Sequence, residues 1–150
     1  PLLGAGVIRA LPQQRMNWHR AALVLFTAAD FALALLMWSA FDPTRDGFQL
    51  VDSIEWFPTP GGSGFRFGVD GLSLVLVMLT TFLTAIAGLA CRDGEADTPR
   101  ALAVNILVLE SAILGVLVSL DMLVFCLFWL MVTLCLYFLF ILCICIFNHN

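Results

Sequence analysis

Four stretches of this sequence stay apolar for about 20 residues, the length a helix needs to cross a hydrocarbon layer of about 30 Å. They are 21–41 (AALVLFTAADFALALLMWSAF), 72–90 (LSLVLVMLTTFLTAIAGLA), 101–119 (ALAVNILVLESAILGVLVS) and 122–147, the last without a charge. Lipid offers the backbone no hydrogen-bond partners, so an unclosed segment within it has to be helical. The predicted fold class is therefore all-α, a polytopic transmembrane helical protein with residues 1–150 as one membrane domain. A shorter apolar stretch, LLGAGVIRALP at 2–12, cannot span, and Arg9 within it fits a cleaved signal peptide poorly. It reads as the end of a further helix, a partial N-terminal span, and the chain reads as a fragment.

Composition excludes the main alternative. Hydrophobic residues make up 61% and charged residues 12%, with a mean hydropathy of +1.00. A soluble domain carries about 45–50% apolar and about 25% charged residues, so a soluble enzyme is ruled out. All seven positive charges are arginine and the net charge is −4, which argues against nucleic acid as a partner, because phosphate binding needs a basic patch. Cys91, Cys126, Cys135, Cys143 and Cys145 form no CxxC pair, and four of them share one apolar run. They read as small apolar residues, not as metal ligands or a disulfide framework.

The loops predict an orientation. Arg9, Arg15 and Arg20, with His19 beside them, precede the first span, and Arg92 and Arg100 lie between 90 and 101. The long loop 42–71 holds Arg45 and Arg66 among Asp42, Asp46, Asp52, Glu55 and Asp70, and the turn at 120–121 holds only Asp121. The positive-inside rule then puts 12–20 and 91–100 in the cytoplasm, and 42–71 and Asp121 on the periplasmic side. Within that outer loop, FQLVDSIEWF (48–57) and GFRFGV (64–69) are aromatic-rich and β-prone on either side of PTPGGSG. They predict a small β-hairpin. GGSG is no phosphate cradle, since no Lys-Ser/Thr follows it. On 72–90, Ser73, Val77, Thr80, Thr84 and Gly88 recur at helical spacing, a small-residue face that suits close helix–helix packing.

Three acids sit where an apolar chain should not place them. Asp30 falls in the first span, Glu110 at the centre of the third, and Asp121 at the outer turn. An ionised side chain at mid-bilayer costs about 2.5–3.5 kcal/mol on insertion scales, so such residues are functional candidates by default. Low-dielectric surroundings disfavour the charged form of any carboxyl, and a group poised in this way can take up and release protons. Asp121 also suits the N-cap of the following helix. Asp30 fits either a hydrogen bond to a neighbouring helix or a proton site. Glu110 has no cation nearby on its own span, because Arg100 lies about 15 Å away along the axis. Its partner has to come from another helix or from beyond the sequence.

The order of these residues resembles a known family. GVDGLSLVLVMLTTFLT (68–84), LVLESAILGVLVSLDMLVF (107–125), FW (128–129) and YFL (137–139), preceded by the FQLVDSIEWF loop, are similar to antiporter-like proton-pumping subunits of respiratory complex I (NADH-quinone oxidoreductase) of the chain M type. The resemblance covers roughly 48–139. It implies a proton-translocating helical subunit of a bacterial inner-membrane oxidoreductase, working in the bilayer with the other membrane subunits. It implies no cofactor in this chain: NADH, FMN, iron–sulfur clusters and quinone belong to other subunits. Carried over, the family's buried glutamate falls on Glu110 and its turn aspartate on Asp121. Its GVDG motif falls on Asp70 and Gly71, with Asp70 capping the next helix. The family also implies a glutamate directly after FW and a proline five residues later, where this sequence has Leu130 and Cys135. Two further readings are a subunit of a multi-subunit cation/proton antiporter, and a non-functional truncated copy in which Glu110 only packs.

Overall fold

The structure, a computed structural model, describes residues 1–11, 16–45, 47–55, 64–90 and 99–149. In chain order these form α1 (Leu2–Ala10), α2 (Met16–Ala40), β1 (Gln49–Glu55), β2 (Gly64–Val69), α3 (Gly71–Ala90), α4 (Pro99–Val118) and α5 (Met122–His149). Four helices, α2 to α5, are long and apolar enough to cross a membrane. The all-α polytopic fold predicted from hydropathy is thus present, together with the hairpin. The turn at 58–63, Arg15, Asp46, Cys91 and Arg92 lie outside the described residues.

The helices run past the apolar segments. α2 begins at Met16, five residues before its apolar stretch, and α5 continues to His149. Hydropathy marks where lipid begins, whereas backbone hydrogen bonding carries a helix on into its polar flanks. Residue 19, read from sequence as part of a loop, is therefore helical and buried, and the Arg20 guanidinium reaches back to the Leu89 carbonyl at the end of α3 (3.5 Å).

α4 packs against every other helix and forms the axis of the bundle. Ala103 and Leu107 on α4 meet Ala5 and Ile8 of α1 and Leu23 of α2 in one buried cluster. Outside, the order of a soluble protein is inverted. Large apolar side chains such as Leu36, Leu83, Leu127, Trp129 and Phe140 are exposed, while His19, Thr27, Thr81, Glu110 and Ser111 are buried. That is the arrangement a lipid solvent selects, since the exterior gains nothing by hiding its hydrocarbon. The inner hydroxyls meet their needs within their own helices: Thr27 donates to the Leu23 carbonyl (3.0 Å), Thr81 to Val77 (3.0 Å) and Ser111 to Leu107 (2.7 Å).

The hairpin seals one end. β1 and β2 pair antiparallel, with Asp52 opposite Phe67 and Ile54 opposite Phe65, and a bulge near Leu50. Leu120 N–H donates to the Arg66 carbonyl (2.9 Å) and Phe67 bridges Ser119, so the hairpin docks on the α4–α5 turn. The Gln49 side chain ties it to the end of α2 through both the N–H and the carbonyl of Asp42 (3.0 and 2.6 Å). The outer loop and the turn at Asp121 therefore share one end of the bundle.

Asp70 joins hairpin to helix. Its Oδ1 accepts the Ser73 N–H (2.7 Å), while Ser73 Oγ accepts the Asp70 N–H (2.9 Å), a reciprocal capping box at the start of α3. Hydrogen bonds from Ser73, side chain first and backbone second, hold the Asp70 carboxyl below its ordinary range. A depressed native value means that the ionised cap stabilises the fold above the unfolded carboxylate pKa, and that this contribution is lost as pH falls through the native value. Asp70→Ala should cost about 1 kcal/mol of stability at neutral pH. Asp70→Asn should keep the cap and flatten the acid limb of a thermal-melting profile in detergent.

Close approach of α4 and α5 rests on Gly115. A β-carbon there would collide with the Phe128 ring, whereas one at Gly6 would meet nothing within 4 Å. Gly115→Ala should destabilise by about 1–3 kcal/mol through overpacking. Gly6→Ala should not destabilise, so thermal melting of the two variants separates the helix contact from a general effect of replacing glycine.

Candidate functional site

Glu110 lies eleven residues after Pro99 and eight before Val118, near the middle of α4, and its side chain is fully buried. A run of leucine and valine keeps the local helix apolar, so the carboxyl has to look across to a neighbour. It finds Thr84 on α3: Oγ1 stands 2.6 Å from Glu110 Oε1. The same hydroxyl oxygen is 3.1 Å from the Thr80 carbonyl and 3.0 Å from the Thr81 carbonyl. Glu110 Oε2 has no hydrogen-bond partner among the described residues.

A second carboxyl approaches from α2. Asp30 is nearly buried and lies within electrostatic reach of Glu110. Its face of α2 also carries His19, Leu23, Thr27 and Ala34, all buried and spaced by three or four residues. α2 can bring that face close because α3 presents Gly88, where a β-carbon would stand 3.2 Å from Thr27 Oγ1. The buried Thr27 and Glu110 and the partly buried Asp30 and Thr84 thus lie where α2, α3 and α4 meet. His19 belongs to the same face one turn before Leu23, with neither ring nitrogen hydrogen-bonded to a described residue.

The structure places Asp30 within electrostatic reach of Glu110 and leaves the other sequence candidates elsewhere. Asp121 sits at the hairpin end, eleven residues past Glu110 and beyond the end of α4, which runs about 12 Å further from Glu110 to Val118. Its Oδ1 accepts the Leu123 N–H (2.8 Å) and its carbonyl accepts the Phe125 N–H (2.9 Å), which makes it the N-cap of α5. Asp70 caps α3 at the same end, and Gly71 is the first residue of that helix. Arg100 is turned to the main-chain carbonyl of Arg9. On α5, Val124, Phe128, Met131 and Cys135 form the face toward α4, and Leu130 points outward, 60% exposed. Cys135 is buried, and its carbonyl accepts a hydrogen bond from Asn105 Nδ2 (3.1 Å).

Sequence reasoning missed two members of this site. Thr84 was legible as a contact residue but not as the partner of Glu110, since a hydroxyl on a small-residue stripe carries no mark of which acid it meets. His19 was hidden among the arginines before the first apolar stretch. The available signal was its spacing from Thr27 and Asp30, one helical face if the helix is extended back to residue 16.

No family model matches the chain. Curated proteins do. NADH-ubiquinone oxidoreductase chain 4 of Marchantia polymorpha is 33% identical over 129 residues, which cover 86% of this chain and 26% of that protein. NADH-quinone oxidoreductase subunit M of Rhodobacter capsulatus is 36% identical over 134 residues, covering 86% and 25%. NAD(P)H-quinone oxidoreductase chain 4 1 of a Picosynechococcus strain is 36% identical over 133 residues, covering 86% and 24%. The chain spans about a quarter of the length of the curated relatives it matches. With four helices fit to span and relatives of this one kind along most of its length, the chain is a multi-pass membrane protein homologous to chain 4/subunit M of NADH-quinone oxidoreductase.

Proposed function

We propose that this chain is part of a proton-translocating subunit of NADH-quinone oxidoreductase, in which buried carboxyls carry protons while quinone is reduced elsewhere in the complex. The observation that carries this reading is Glu110, a fully buried carboxyl at the centre of the central helix, held by one hydroxyl and faced by Asp30. A group placed there gains no ordinary structural advantage, because an apolar residue would pack at lower desolvation cost. Two acids within electrostatic reach of each other in a low-dielectric space cannot both hold charge cheaply. Arrival or loss of a proton at one of them is then the elementary transfer step. The names of the relatives favour this over a separate cation/proton antiporter.

The same reading assigns no redox cofactor to this chain and gives it two kinds of partner: lipid around its apolar exterior and other membrane subunits of the complex. Following the arginine bias, 12–20 and 91–100 face the cytoplasm of a bacterium whose inner membrane holds the protein. The hairpin, Asp70 and Asp121 face the periplasm, and their grouping at one end of the bundle supports a consistent sidedness for all four spans. Asp121 then stands at the periplasmic mouth.

The test is proton pumping by the parent complex in sealed vesicles. Glu110→Gln, which keeps shape but not the titratable proton, should lower pumping on the order of tenfold or more, the scale of losing a positioned proton-transfer group. Asp30→Asn should also lower it. Asp121→Asn preserves an N-cap, and any fall in pumping it causes reports on the mouth and not on the helix end. Full pumping with Glu110→Gln would remove Glu110 from the path and leave it as a packing residue.

A further inference from the structure

Thr84 lies on the small-residue face of α3, and close packing alone would account for its size. Its hydroxyl has a more specific setting. Three acceptor oxygens surround Oγ1: Glu110 Oε1 at 2.6 Å, the Thr80 carbonyl at 3.1 Å and the Thr81 carbonyl at 3.0 Å. A threonine hydroxyl has one proton to give and two lone pairs to receive with. It can therefore serve either Glu110 or its own helix as a donor, and the state of Glu110 decides which. An ionised Glu110 only accepts, so the Thr84 proton points at Oε1. A protonated Glu110 has to donate, and Thr84 Oγ1 is the acceptor the described residues place beside it. The Thr84 proton then turns to the Thr80 or Thr81 carbonyl, both already in position.

We propose that Thr84 is a positioning residue for proton transfer at Glu110, a one-hydroxyl switch that supplies the hydrogen bond each protonation state of the acid requires. The proposal rests on the reading of Glu110 as a proton carrier. When a proton reaches Glu110, the Thr84 O–H leaves Oε1 for a main-chain carbonyl and Oγ1 accepts the new carboxyl O–H. When the proton departs, the two bonds reverse. A half-turn of the carboxyl, which carries a proton taken up at Oε2 round to Thr84 Oγ1, is the one heavy-atom movement required, so the acid changes state without reordering the bundle around it. Thr84 is not itself a relay, because its remaining partners are peptide carbonyls, which accept a hydrogen bond but do not take and pass on a proton. Exchange is left to Oε2, the oxygen without a described partner. The titratable group within electrostatic reach on α2 is Asp30.

The switch can be read by difference infrared spectroscopy of the full chain in lipid bilayers. The carboxyl C=O band of protonated Glu110 is assigned by its loss in Glu110→Gln. Thr84→Val removes the hydroxyl at nearly constant shape and should move that band to higher frequency, toward a carboxyl that donates no hydrogen bond. Thr84→Ser should restore the original position, and Thr84→Ala serves as the hydroxyl-free variant if valine disturbs folding. An unshifted Glu110 band in both hydroxyl-free variants overturns the proposal, as does the absence of any carboxyl band that Glu110→Gln removes. Transport and switch fail separately: unchanged pumping in Glu110→Gln removes the transport reading, while the shift on losing the Thr84 hydroxyl still reports whether the two side chains are coupled.

Discussion

A carboxyl inside a helical bundle bathed in lipid has to find its hydrogen bonds among the helices around it, and Glu110 fixes how α2, α3 and α4 can meet. Its position on α4, the helix that touches all the others, leaves α3 to supply the hydroxyl of Thr84 and α2 to supply Asp30. Those side chains reach the acid only if the helices come close, and the small residues achieve that. Gly88 lets α2 lie against α3, and Gly115 lets α5 lie against α4 without pushing α4 away from its other neighbours. A stripe of glycine, serine and threonine that looks like filler is thus what brings the buried Glu110 within reach of partners.

The end of the bundle obeys a different constraint. Each helix there needs caps for its free backbone groups. Asp70 and Ser73 cap α3, Asp121 caps α5, and Gln49 ties the hairpin to the end of α2. The acids of this chain therefore divide by surroundings. Asp70 and Asp121 at the hairpin end accept backbone N–H groups at the starts of α3 and α5. Those at mid-span sit among hydroxyls and one another. The division supports a proton role for Asp30 and Glu110 and a mainly structural role for Asp70.

Much of this was legible beforehand because lipid imposes simple rules. Four apolar stretches of spanning length can only be helices, and alternating aromatic residues around a Pro/Gly-rich turn can only pair locally. Periodicity left more open at the site. The spacing of Ser73, Val77, Thr80, Thr84 and Gly88 showed a contact face, but any of its hydroxyls could have met Glu110. The rotation of α3 about its axis decides that, and rotation is set by packing with α2 and α4 together. The extension of α2 back to Met16, which puts His19 inside the bundle, escaped a reading based on apolar runs because the added turn is polar. Leu130 illustrates a third case. The family resemblance implies a glutamate there, and the structure turns that position away from α4, onto the apolar exterior of this part of the protein. Leucine suits that surface physically, and the acid that does approach Glu110 within this chain is Asp30.

The central claim is that Glu110 meets Thr84 at mid-membrane and away from bulk water. Solid-state NMR on the protein in lipid bilayers, with glutamate and threonine isotopically labelled, addresses it most directly. The account predicts a dipolar contact between the Glu110 carboxyl carbon and the Thr84 side chain, together with a carboxyl signal shielded from exchange with bulk water. A Glu110 carboxyl in free exchange with water and without contact to Thr84 would contradict it.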